Sequence, residues 1–166
     1  MWQRNLRGGW KTLRIENPAF TWPQFQNSVD WQTPPEIVRA LGKFDLDPCA
    51  APRQFYKTAR TMWKKGDDGL HKEWRGRVWL NPPYSAGVLP ATMKRMAEHR
   101  NGIALVPVKF VSKWFQESVV KRASAILFLE RPTMFHLSKR KLARRGYRDI
   151  KQAGNDYRSE ALVAYG

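Results

Sequence analysis

Residues 78–85 read Val-Trp-Leu-Asn-Pro-Pro-Tyr-Ser, an apolar run that stops in an amide, two prolines and a tyrosine. Asn81 and Pro82 carry carbonyl oxygens, and the prolines hold the backbone between them stiff. Tyr84 adds a flat apolar face with a polar tip. A strand ending in this set can present hydrogen-bond acceptors and a ring to a ligand. The alternative is a rigid strand-to-loop turn with Asn as the turn former. Two prolines and a tyrosine exceed what such a turn requires.

A second corner has the same character. In residues 43–50, Lys-Phe-Asp-Leu-Asp-Pro-Cys-Ala, Phe44 and Leu46 alternate with Asp45 and Asp47 until Pro48 halts the strand. Asp47 thus stands at a strand end, where it can meet a cation or cap a following helix. Asp67-Asp68-Gly69 offers two further carboxylates in a sequence that also favours a turn. His71, His99 and His136 form no ligand spacing with the single Cys49, so no metal site is expected.

The chain has 166 residues, a net charge of +16 and a pI near 10.5. Such an excess of cations calls for an anionic partner. Nucleic acid is the first candidate and an anionic membrane surface the second. The charge is densest in residues 131–151, where eight Lys or Arg face one Asp. Phosphate contacts are expected there, from Lys139, Arg140, Lys141, Arg144, Arg145 and Arg148 above all. Asn155 and Asp156 beyond them suit base contact or a turn equally. Mean hydropathy is −0.62 and no long apolar run occurs, so no membrane span is expected. The N-terminal residues lack an apolar signal core, and one cysteine fits a reducing cytoplasm.

The elements that must carry these corners follow from pattern. Thr33 is expected to cap a helix with Pro34 in its first position and Glu36 completing a capping box. Ile37, Val38 and Leu41 give that helix an apolar face, and Gly42 ends it. Residues 51–76 predict a short helix and a short strand near 58–63. A helix opens at Pro90 and runs to about Arg100, with Asn101-Gly102 as its stop. Buried strands are expected at 103–110 and 124–130, a helix capped by Ser112 lies between them, and residues 161–166 make a last strand. Alternating strands and helices with apolar strands predict a parallel sheet covered on both faces. Both polar corners then lie at the carboxyl edge, where such sheets bind ligands. Residues 1–29 read as an irregular arm or lid, 30–166 as one domain, and 131–158 as a basic excursion from it.

The order of "DWQTPPEIVRAL", "FDLDPCA", "DGL…W", "VWLNPPYS" and "ALVAYG" resembles the phage DNA N-6-adenine methyltransferases (Dam-like). The resemblance is clearest over residues 30–84. It implies a Rossmann-like S-adenosylmethionine-dependent methyltransferase fold, α/β, with a mostly parallel sheet, helices on both faces and a late antiparallel strand. It implies S-adenosylmethionine as cofactor and DNA as partner, in the cytoplasm of a bacterial host. It assigns catalysis to Asn81, Pro82, Pro83 and Tyr84. Cofactor contacts fall on Trp31, Thr33, Pro34, Asp47, Pro48, Cys49, Ala50 and Asp68, with Asp67 as the alternative to Asp68. Residues 48–50 depart from the glycine-rich loop common in methyltransferases. Rival readings are an RNA adenine or protein-glutamine methyltransferase with the same corner, or a catalytically silent DNA-binding module. Target sequence and oligomeric state are not legible.

Overall fold

The computed structural model describes residues 2–4, 10–12, 32–52, 54–85, 87–130, 133 and 159–166. Near the N-terminus, β1 (Trp2–Arg4) and β2 (Trp10–Thr12) pair antiparallel, where the sequence pattern suggests only irregular chain. Everything else described builds on one sheet. Its strands are β3 (Leu46–Asp47), β4 (Thr61–Met62), β5 (Val78–Leu80), β6 (Gly102–Pro107), β7 (Ala125–Phe128) and β8 (Glu160–Tyr165), in the order β4-β3-β5-β6-β8-β7. β4, β3, β5 and β6 are mutually parallel, while β8 lies antiparallel between β6 and β7. The sheet is therefore mixed: five strands share one direction and the last strand in the chain opposes them.

Side chains alternate across a strand, and both faces are buried here. Val78, Leu80, Ala104, Val106, Ala161 and Val163 meet the helices on one side. Those helices are α2 (Val88–His99), which contributes Leu89, Met93 and Met96, and α3 (Lys113–Phe115), which runs straight into a π-helical turn, Gln116–Val120. Trp79, Leu105 and Leu162 face the other way, onto Ile37 and Val38 of α1 (Pro35–Ala40) and Leu41 just after it. Burying each of the valines, leucines and methionines contributes about 1.5–3 kcal/mol, and the alanines less. At the start of β6, a Cβ on Gly102 would lie 2.2 Å from the Val78 carbonyl oxygen, so only glycine lets β6 close on β5 there.

Several local expectations are corrected. α1 starts at Pro35, not Pro34, and Thr33 is not its cap. A residue that precedes proline is driven out of the helical region, and Pro34 accordingly sits at φ −54°, ψ 131°. The N-cap position falls to Pro34, and Thr33 is left for another contact. α2 opens at Val88, two residues before Pro90, because a proline in the first turn has no intrahelical bond to lose. It ends with Arg100, not a glycine, in the left-handed conformation at φ 60°. Ser112 does occupy the position before α3, but its hydroxyl donates to the Lys109 carbonyl and caps nothing. Among the described residues, 51–76 hold β4 and a single 3-10 turn, Lys65–Asp67. β7, expected to be buried, is an edge strand with Ala125 and Phe128 exposed. Its apolar run belongs to a position with a neighbour on one side only.

Among the described residues, no helix is long and apolar enough to cross a membrane.

Candidate active site

The chain leaves β3 toward β4 on one side and leaves β5 toward β6 on the other. The carboxyl ends of β3 and β5 thus flank the switch point, where open sheets form their crevice. The crevice is present, about 210 Å³ counted out to the solvent at its mouth. Register decides what lines it. Leu46 pairs with Val78, so Asp47 and Trp79 share the opposite face, and Asn81 follows Trp79 by two residues. Asp47, Trp79 and Asn81 all line the crevice, with Gln32, Thr33, Cys49, Ala50, Ala51, Gln54 and Thr58.

Asp47 is 3% exposed. One carboxylate oxygen accepts from the Cys49 N–H at 3.0 Å, and the other accepts from the Thr58 hydroxyl. No cation among the described residues pairs with it. Desolvation raises its pKa to about 6, and the two hydrogen bonds only partly offset that. Burial, together with the Asp47 charge, pushes the Cys49 thiol up to about 12, so it stays protonated at neutral pH. Tyr56 is tied to the lining through Thr33. Its hydroxyl donates to the Thr33 carbonyl at 2.8 Å, and burial beside Asp47 raises its pKa.

The Asn81 side chain donates through Nδ2 to Thr33 Oγ1 at 3.0 Å. Its Oδ1 accepts no hydrogen bond from the described residues and is left for a ligand. Thr33, released from capping by the proline pair that follows it, anchors the amide at the crevice wall. Beyond Asn81, Pro82 is buried and Pro83 exposed. Tyr84 is half-buried, with its hydroxyl 3.4 Å from both the Leu105 carbonyl oxygen and Glu160 Oε1.

Of the residues singled out from sequence, Thr33, Asp47, Cys49, Ala50 and Asn81 come together at the crevice. Pro34 and Pro48 are buried next to it in the chain without lining it. Asp68 lies on the surface, its carboxylate 2.7 Å from His71 Nδ1. Asp67 is also exposed and folds back on its own loop, accepting from the Lys64 N–H at 2.7 Å. That loop nevertheless touches the corner, because Gly69 packs on Pro48. A Cβ at position 69 would sit 2.3 Å from the Pro48 carbonyl oxygen. Gly69→Ala is therefore expected to displace the 48–50 corner and weaken ligand binding at the crevice about tenfold or more. Titration calorimetry on the folded variant checks this, and unchanged affinity would detach the loop from the site.

Trp31 and the basic residues Lys139, Arg140, Lys141, Arg144, Arg145 and Arg148 lie outside the described residues, as do Asn155 and Asp156. Sequence reasoning missed Thr58, which holds Asp47, and Trp79, the 1%-exposed floor packed against Phe44 with ring centroids 5.6 Å apart. It also missed Glu160. This 3%-exposed acid reaches the carboxyl edge because β8 is antiparallel and pairs it with Pro107. It accepts from the Thr133 N–H at 2.9 Å and lies beside Tyr84. The available signal was an acid directly before an apolar strand. Arg77 spends its charge structurally, donating to the Leu41 and Lys43 carbonyls. Among the described residues, no three His, Cys, Asp or Glu side chains cluster.

Residues 24–148 match the family model described as DNA N-6-adenine-methyltransferase (Dam). The match begins before residue 30, earlier than the motifs indicate, runs into the basic segment and stops short of the "ALVAYG" end. A DNA N-6-adenine-methyltransferase of Escherichia phage T1 is 33% identical over 109 aligned residues, covering 60% of this chain. The aligned part is 44% of the phage protein, so the chain spans less than half of that relative's length. No solved structure matches the chain.

Proposed function

The chain belongs to the DNA N-6-adenine-methyltransferase (Dam) family, and from that footing we propose that it transfers a methyl group from S-adenosylmethionine to the exocyclic N-6 amino group of adenine in DNA. One observation carries the reading. A single crevice holds a buried carboxylate, Asp47, with no cation beside it among the described residues, and an amide, Asn81, whose nitrogen is already taken by Thr33. The first suits a cationic methyl donor and the second suits an amino group. The sheet order, with β8 inserted between β6 and β7, is compatible with the Rossmann-like methyltransferase architecture.

The residues divide the work. S-adenosylmethionine supplies an electrophilic methyl on a sulfonium, transferred by direct displacement that depends on alignment. Asp47 meets the cationic amine of the donor, and Cys49 and Ala50 line the bend around it. Asn81 Oδ1 and the Pro82 carbonyl oxygen accept the two N–H groups of the adenine amine. Holding both favours a pyramidal nitrogen, frees its lone pair from the ring and aims it at the methyl. The C–N bond forms as the C–S bond breaks, and the methylated nitrogen then loses its excess proton to solvent. A neutral Asn suffices because that proton is acidic. Tyr84 gives the base a face to stack on once it has left the helix. The reading sets this work in a bacterial cytoplasm.

The basic residues beyond β7 hold the DNA backbone. Replacing Lys139, Arg140 and Lys141 by Gln is expected to weaken duplex binding and flatten its salt dependence, by about 0.9 in log–log slope for each phosphate no longer neutralised. An unchanged slope would move the footprint elsewhere. The reading as a whole is tested with methyl-labelled S-adenosylmethionine and parallel DNA, RNA and protein substrates. Label is expected in DNA. Label in RNA or in protein glutamine alone would replace the substrate, and none anywhere despite cofactor binding would leave a DNA-binding module.

A further inference from the structure

Beyond β6 the chain makes a tight turn whose tip is apolar and faces solvent. Val111 is fully exposed, at 101%, and Phe110 before it is 52% exposed. Scattered exposed apolar residues are ordinary, but this tip is built. The Ser112 N–H and hydroxyl both donate to the Lys109 carbonyl, at 2.9 and 2.7 Å, and Gln116 Nε2 donates to the Phe110 carbonyl at 2.6 Å. Phe110 packs on Phe115 and Phe128, with ring centroids 5.3 and 5.8 Å apart. The turn is thus braced from below and fixed in backbone, while none of the described residues covers Val111. Exposed Lys109 and Lys113 flank the tip.

Its position matters as much as its chemistry. Leu80 pairs with Ala104, so Asn81 is level with Leu105, and six residues of chain separate that level from Val111. Extended chain of that length reaches no more than about 20 Å, the scale of a DNA duplex. The tip stands at the carboxyl edge, on the strand next to the one that ends in Asn81.

Building on the proposed activity, we propose that the turn at 109–112 is a wedge that enters the base stack of duplex DNA beside the target adenine. An enzyme that works on an adenine amino group inside a duplex must take the base out of the stack. Apolar side chains inserted at a base step are one way to hold the gap open. Val111 supplies the apolar tip, Phe110 the platform behind it, and Lys109 and Lys113 the phosphate contacts on either side.

The test uses single-turnover methylation by the full chain, once methylated positions in a plasmid have defined a target duplex. Two versions of that duplex are compared, one with the adenine paired to thymine and one with it facing an abasic site. Val111→Ser is solvent-exposed and is checked by thermal melting. It is expected to slow transfer tenfold or more on the paired duplex and to stay within about twofold of the parent on the abasic one, where the base is already loose. Equal loss on both substrates, or no loss on either, overturns the wedge and leaves the methyltransferase reading standing. A parent chain inactive on every duplex fails that reading itself, and the wedge falls with it.

Discussion

Asn81→Ala is expected to lower methyl transfer to DNA by on the order of 10²–10³ while leaving most of the DNA affinity intact. The reason is the asymmetry of the side chain. Nδ2 is spent on Thr33 at 3.0 Å, so only Oδ1 is offered to the crevice, and under the proposed function the group it receives is the reacting amine. That acceptor matters most when the nitrogen turns pyramidal, so its loss falls on turnover. Thr33→Val keeps shape but removes the hydroxyl that anchors the amide. It is expected to fall between parent and Asn81→Ala, and adding it to Asn81→Ala should cost little more, because the two act as one unit. Single-turnover rates and DNA binding measure this, on variants whose folding is confirmed by thermal melting. Fully additive losses would mean that Thr33 acts on something other than Asn81.

Asp47→Asn is expected to trade binding for stability. The carboxyl titrates at about 6 in the fold against an ordinary 3.8. A raised pKa means that the fold favours the protonated form. The associated stability is full below the ordinary value and is lost as pH rises through about 6, on the order of 3 kcal/mol by pH 8. Asn is neutral and can still accept from the Cys49 N–H, so the variant should melt a few degrees higher than the parent at pH 8 and no higher at pH 4. Donor binding runs the other way. A cationic ligand needs the carboxylate, so parent affinity for S-adenosylmethionine should be level near pH 7 and fall about tenfold per pH unit below 6, and it should weaken again above about pH 8 as the donor's own α-amino group loses its charge. In Asp47→Asn the affinity should be lower by about tenfold to a hundredfold at pH 8, with the acid limb gone. Calorimetry across pH checks both, and an acid limb that survives in the variant would assign it to another group.

The two strand-end corners were legible because proline and polar residues after apolar runs mark where strands stop. Asp47 and Asn81 needed nothing further to be singled out. Their meeting is a matter of register, Leu46 opposite Val78, which no pattern within either strand encodes. The same holds for Thr58, recruited from the connection between β3 and β4. Thr33 reads as a cap in sequence because the choice between two adjacent prolines turns on the restriction that Pro35 places on Pro34. Glu160 was passed over because an antiparallel insertion brings the start of a strand, not its end, to this edge. β7 looked buried because composition does not say whether a strand has one neighbour or two.

The central claim is that the Asn81 crevice methylates the adenine amino group in DNA. It is tested most directly by incubating unmethylated plasmid with S-adenosylmethionine and either the parent chain or folded Asn81→Ala. The DNA is then digested to nucleosides and analysed by mass spectrometry. The account predicts N6-methyl-2′-deoxyadenosine with the parent and a rate of appearance lower by about 10²–10³ with the variant. A methylated cytosine, no methylated nucleoside, or equal yield from both proteins would contradict it.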